Sequence, residues 1–216
     1  MSLTLFMHPL ASYCWKALIA LYECEAPFEP RIIDLSKKAE REELAGVWPL
    51  VKFPVLRDDA RDLTVPEATI IIEYLAQHYP GKSQLVPSDP DLARATRFSD
   101  RFFDNYVHTP MQKIVGDRIR PAGTGDAHGV KEARDVLQQS YALLEKQTRS
   151  DAWAMGDGFT MADCAAAPAL HYANRVEPLS AKKHPQLVAY LHRLEERPSF
   201  ARVLTEAKPY FHMFPA

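Results

Sequence analysis

Lys52-Phe53-Pro54-Val55-Leu56, followed closely by Thr64-Val65-Pro66-Glu67-Ala68-Thr69-Ile70-Ile71, decides how this chain folds. In the first stretch a proline opens a strand directly after a loop. Proline has no amide hydrogen to give to a sheet ladder, so it belongs at a strand start or an edge. A cis bond between Phe53 and Pro54 would turn the chain sharply. It would leave the amide and carbonyl of Phe53 facing outward, where an extended peptide can pair as an added strand. A trans proline is the commoner arrangement, so the dipeptide takes its weight from its surroundings. In the second stretch Asp58-Asp59 signals a turn, and residues 62–65 pair back on residues 53–56 as a hairpin. Pro66-Glu67 then opens a helix, with Ile71, Tyr74, Leu75 and His78 on one side. The free amides of a helix N-terminus attract a carboxylate, and Glu67 in the first turn offers a partner to an ammonium. One turn of chain can therefore hold a zwitterionic amino-acid end. The plain structural alternative is that Glu67 only complements the helix dipole, worth about 0.3–1 kcal/mol.

Outward from these stretches the order of elements is regular. Residues 3–7 form a strand, which His8-Pro9 breaks. Ser12 is placed to cap a helix with Ala17, Leu18, Leu21 and Tyr22 at helical spacing, and Pro27 stops it. Residues 28–33 form a second strand, parallel to the first with a right-handed crossover. Asp34 or Ser36 opens a charged helix to about Gly46. Residues 1–81 thus read β-α-β-α-β-β-α. Tyr79-Pro80-Gly81 closes that unit, residues 82–88 form a linker, and residues 89–216 carry only helical patterns. These cover 93–118, 130–148, 160–174, 186–196 and 200–208, with a loop over 121–129.

Composition narrows the function classes. A net charge of -2 gives no field that would draw nucleic acid or an anionic membrane. No apolar run approaches the ~18–20 residues that span a bilayer, and the N-terminus lacks the pattern of a signal peptide. The expected place is the cytoplasm. Cys14, Cys24 and Cys164 are odd in number and contain no CxxC pair, which suggests reduced thiols. The histidines show no metal-ligand spacing, so no metal is expected.

A third chemistry-bearing segment is Ala11-Ser12-Tyr13-Cys14-Trp15-Lys16. A hydroxyl at a helix start can donate to a thiolate and lower its pKa, and the helix dipole adds to the effect. In the plain alternative, Ser12 is a cap while Tyr13 and Trp15 are packing residues.

In order and spacing these segments resemble the soluble glutathione transferase family, of bacterial type with zeta- and theta-like features, over essentially the whole chain. Lys52 to Leu56 resembles the family's loop before strand three, and Leu63 to Leu75 its hairpin and third helix. Gly158-Phe159-Thr160-Met161-Ala162-Asp163 resembles its capping box, in which Thr160 caps a helix and Asp163 bonds back to the cap. His184-Pro185 through Phe200 resembles its closing helices. The resemblance implies a thioredoxin-like α/β domain followed by an all-α domain, and a cytoplasmic homodimer. Glutathione is implied as co-substrate, with no tightly bound cofactor. It would lie along Lys52, Phe53, Pro54, Glu67 and Ala68. A small apolar electrophile would lie among Leu10, Phe103, Tyr106 and Met111.

Two departures from the family pattern stand out. The serine that usually follows the acidic residue is Ala68, which leaves Thr69 as the nearest replacement hydroxyl. The catalytic serine of theta- and zeta-like members falls on Ala11, with Ser12 next to it, and the beta-type cysteine falls near Tyr13. The implied thiol-activating group is Ser12, then Tyr13, then Cys14. With Ala11 in place of a first cysteine, Cys14 has no dithiol chemistry. The implied reaction is conjugation of glutathione to the electrophile. The competing expectations are a glutathione-dependent isomerase or reductase on the same fold, and a family member that only binds a partner.

Overall fold

The computed structural model describes residues 2–215. Strand β1 (Leu3–Met7) pairs in parallel with β2 (Phe28–Ile32) and antiparallel with β3 (Val55–Asp58). Strand β4 (Leu63–Pro66) pairs antiparallel with β3, giving the order β2-β1-β3-β4. The hairpin register places Leu56 opposite Val65. Its first strand starts at Val55 rather than Phe53, and Val55 is the first residue after Pro54 that has an amide to donate.

β1 is apolar except at Thr4, because helices cover both sheet faces. Leu3, Leu5 and Met7 point to one side. They pack there with α1 (Ser12–Glu23) and α3 (Ala68–His78). Phe6 points the other way, onto Leu44 of α2 (Lys38–Val47). Helix α2 starts later than Asp34 or Ser36. Asp34 takes the Ser36 amide into a local turn instead, and Glu40 accepts from the Asp34 amide. Helix α3 also starts later than Pro66-Glu67: Pro66 ends β4, and Glu67 sits at a positive φ of 71°. That left-handed conformation is costly for a side-chain-bearing residue, and it makes the sharp corner between strand and helix.

No regular element lies between α3 and α4 (Pro90–Phe102). Asp89 caps α4 by accepting from the Leu92 amide at 2.8 Å, and Pro90 occupies the first turn. The helical domain continues through α5 (Thr109–Arg118), α6 (Ala127–Gln147), α7 (Met161–Val176), α8 (Pro185–Glu196) and α9 (Pro198–Ala207), and ends in a 3-10 turn over Lys208–Met213. Helix α7 is the central element. Its many alanines let α1 and α4 approach closely, so it joins the two domains. Among the described residues no helix is long and apolar enough to cross a membrane.

The continuous helix expected over 93–118 is interrupted. A π turn spans Phe103–His108, between α4 and α5. Pro110 explains it: without an amide hydrogen it cannot serve the Tyr106 carbonyl one turn earlier. Ser140 reaches that carbonyl instead, at 2.8 Å, sharing its proton with the Val136 carbonyl. The Thr109 hydroxyl donates to the Asp104 carbonyl at 2.9 Å. The wider turn resets the phase of the helix, and the side chains of Asp104 and His108 both reach α1.

Candidate active site

A cavity of about 370 Å³ opens between the α/β domain and α4. It is lined by Tyr13, Trp48, Lys52, Phe53, Pro54, Glu67, Ala68, Thr69, Ile70, Arg101 and Asp104. The fold thus gathers Lys52, Phe53, Pro54, Glu67 and Ala68 around one space, with Tyr13 beside them. The Phe53-Pro54 bond is cis. No side chain caps α3, so its first amides are left for a ligand. Charges of both signs surround the space: Lys52 and Arg101 against Glu67 and Asp104. Burial pushes the Asp104 carboxyl up, against the pull of Lys16. Thr69 does not replace the serine missing at Ala68. Its hydroxyl donates to Asp100 at 2.8 Å and accepts from Lys16 at 2.8 Å, so it faces inward.

The start of α1 differs from the sequence expectation. Ala11 is the cap residue and Ser12 is the first helical residue. The Ser12 hydroxyl lies 2.5 Å from Nε2 of His108 rather than on the backbone. His108 is buried, and burial, reinforced by the Lys16 charge, pushes its pKa down to about 3. Its imidazole is therefore neutral at physiological pH, and the pair is a hydrogen bond between neutral groups. The Tyr13 ring lies against His108 with centroids 3.9 Å apart. Burial and the neighbouring Asp104 push its hydroxyl up to about 12, so it stays a neutral donor. Cys14, the third expected thiol-activating group, is sealed in the core. Burial pushes its thiol up to about 12, and Cys14 lines neither cavity.

The histidine gives a measurable pH effect. Its folded pKa lies below the unfolded value of 6.5, so its contribution to stability is complete above that value. The contribution is lost as pH falls from 6.5 towards 3, because only the unfolded chain takes up the proton. Between pH ~7 and ~5, wild type is expected to lose about 2 kcal/mol more stability than His108→Gln. Urea denaturation at the two pH values measures this, and equal losses would contradict a buried neutral His108.

A second cavity, of about 280 Å³, touches the same helix start. It is lined by His8, Leu10, Ala11, Ser12, Met111, Gln112, Val115, Tyr172, Met213, Phe214 and Pro215. Leu10 and Met111 are brought together there. Phe103 and Tyr106 are not: Phe103 is 2% exposed in the core, and Tyr106 is 51% exposed on the outer face. The cause is the π turn. Helical spacing counted through 103–111 assumes a constant period, and the wider turn rotates Tyr106 outward. Sequence reasoning missed His108, whose partner is distant in the chain. It also missed the tail residues Met213 and Phe214, which carry no local signature. Thr109-Pro110 was the one local sign that the helix phase changes.

Ser12 lines the second cavity and its neighbour Tyr13 lines the first, so the two spaces flank the N-terminus of α1 without sharing a lining residue. Comparison with known proteins identifies the family. The family model of the glutathione S-transferase N-terminal domain matches residues 5–83, and that of the C-terminal domain matches residues 102–198. The chain is 26% identical over 190 residues to the glutathione S-transferase GstB of Escherichia coli K12, covering 88% of this chain and 91% of that one. It is 30% identical over 158 residues to the glutathione S-transferase-like protein LUC7 of a Fusarium species, covering 71% and 70%. A glutathione S-transferase of Methylobacterium radiotolerans, solved in complex with glutathione sulfonate, superposes with a TM-score of 0.80 at 28% identity and covers 93% of both chains. With a thioredoxin-like domain followed by a helical domain, the chain belongs to the glutathione S-transferase family.

Proposed function

We propose that the protein binds glutathione in the first cavity and transfers its thiolate to a small apolar electrophile held in the second. The observation that carries this is that the consecutive residues Ser12 and Tyr13, at a helix N-terminus, line one cavity each. In this reading the backbone of Phe53 pairs with the tripeptide as an added strand. Glu67 takes the γ-glutamyl ammonium, and the α3 amides at Ala68 take its carboxylate. Lys52 meets the glycyl carboxylate. The sulfur then lies at the start of α1, where the helix dipole and a hydroxyl stabilise the thiolate.

The sulfur lone pair forms the new S–C bond at the electrophilic carbon while the bond from that carbon to its leaving group breaks and the leaving group departs with the electron pair; the thiol proton leaves to solvent. Leu10, Met111, Val115, Tyr172 and Phe214 exclude water and orient the apolar partner. The exposed rings of Phe98 and Tyr106, on α4 and the π turn, support the homodimer that the resemblance implies. The three free, buried cysteines fit a reducing compartment such as the cytoplasm.

Calorimetric titration with glutathione tests the first half of the proposal. A one-site isotherm below millimolar affinity is expected, together with thiolate absorbance appearing on binding at neutral pH. No heat at millimolar glutathione would remove the transferase reading and leave a fold used only for partner binding.

A further inference from the structure

We propose that Lys16 is a positioning residue for the glutathione site. It acts through Thr69 and Asp104 without touching the ligand. The inference rests on the glutathione-binding reading above.

Lys16 lies on α1 one turn beyond Ser12, and it is 1% exposed. An ammonium is costly to bury unless each of its donors finds a partner. Lys16 has three N–H groups and three close acceptors. Its Nζ lies 2.7 Å from Asp100 Oδ1, 2.9 Å from Asp104 Oδ2 and 2.8 Å from Thr69 Oγ1. These acceptors come from α4, the π turn and α3, so one side chain of the α/β domain fixes two elements of the helical domain and the start of α3.

Two of the three partners line the glutathione cavity, while Lys16 itself does not. Thr69 directly follows Glu67 and Ala68. Its hydroxyl is held from both sides, by Lys16 and by Asp100. Asp104 also receives Arg101 at 2.8 Å, which holds that guanidinium beside the cavity. Among the described residues Asp100 Oδ1 accepts no hydrogen bond, and the Lys16 ammonium at 2.7 Å is its charge partner. Removing the ammonium would leave the buried Asp100 carboxylate without its counter-charge, release one side of Thr69 and let α4 shift relative to α3. The contacts sit at the γ-glutamyl end of the proposed site. Ser12, Tyr13 and His108 do not depend on them for a hydrogen bond.

The test is steady-state kinetics and calorimetry with glutathione on Lys16→Met, Thr69→Val and Thr69→Ser. For Lys16→Met the expected result is at least a tenfold rise in Kd and KM for glutathione, with kcat within threefold of wild type. A generally loosened fold would lower kcat as well. Thr69→Val keeps the shape and both carboxylates beside Lys16, removes one acceptor of its ammonium, and should weaken glutathione at least fivefold. Thr69→Ser keeps the hydroxyl and should bind within twofold of wild type. If Lys16→Met does not fold, the two Thr69 variants decide. Unchanged affinity in Thr69→Val, equal losses in Thr69→Val and Thr69→Ser, or a fall confined to kcat overturns the role of Lys16. Wild type that takes up no glutathione overturns the functional reading and this inference together, whereas wild-type binding with unaffected variants overturns this inference alone.

Discussion

Replacing Asp163 by alanine is expected to lower the stability of the fold by about 3–5 kcal/mol. Asp163 is completely buried in the first turn of α7, the helix against which α1 packs. One carboxylate oxygen accepts from the Thr160 amide at 2.8 Å and from the Thr160 hydroxyl at 3.2 Å. The other accepts from the Ala154 amide at 2.7 Å and from the Tyr190 hydroxyl at 2.7 Å. Burial pushes this carboxyl up, and the four donors oppose that. Alanine would leave two backbone amides and a buried tyrosine hydroxyl without an acceptor, each costing about 1–3 kcal/mol. Asp89 provides the comparison. It caps α4 through one exposed bond, so Asp89→Ala should cost only about 1 kcal/mol. Asp163→Asn keeps one acceptor oxygen and should fall between the two. Urea denaturation of the three variants measures the order. A loss at Asp163 no larger than at Asp89 would show that water replaces the carboxylate and that the network is not structural.

The box that Asp163 completes was legible in the sequence because it is local: cap and reciprocal partner stand three positions apart, and both bonds are present. The same holds for the β-α-β-α-β-β-α order, whose strands and helices announce themselves by apolar period and by Pro and Gly at their ends. Phe53 and Glu67 were legible for a related reason, since both depend on backbone geometry at a strand start and a helix start. The surroundings of Ser12 and Lys16 were not local. His108 meets Ser12 across 96 positions, and Asp104 meets Lys16 across 88. Ser12 shows the limit most clearly. A serine at a helix start has the same local signature whether it caps the backbone or turns to a distant side chain, and only the packing of α1 on the π turn decides between them. Phe103 and Tyr106 failed for another reason. Pro110 carried the necessary signal, but its effect is exerted one turn upstream, on the carbonyl of Tyr106, where the sequence shows nothing unusual.

For Ser12→Ala, turnover of bound glutathione at neutral pH is expected to fall about 10- to 100-fold. A hydrogen bond to a charged group contributes about 1.5–3 kcal/mol, and each tenfold change corresponds to about 1.4 kcal/mol. The titration midpoint of the bound thiol should therefore rise by about one to two pH units. The argument depends on proton direction in the Ser12–His108 pair. His108 is neutral, so one ring nitrogen carries a proton and the other does not. If Nε2 carries it, the ring donates to the Ser12 oxygen and the hydroxyl proton is free to face the sulfur. If Nε2 is bare, Ser12 donates to the ring and gives the thiolate nothing. Under the first arrangement His108→Phe should weaken catalysis in the same direction as Ser12→Ala, and the double variant should lose little more than either alone. Under the second, His108→Phe should release the hydroxyl and lower the thiol midpoint. Tyr13 supplies the control. Tyr13 lines the first cavity and its hydroxyl remains protonated, so Tyr13→Phe should shift the midpoint by less than Ser12→Ala. A midpoint that moves with Tyr13→Phe and not with Ser12→Ala assigns the donor to Tyr13. In that case the 2.5 Å contact to His108 is a structural tie between the domains, and the thiol is activated from the side of the cavity that holds the tripeptide.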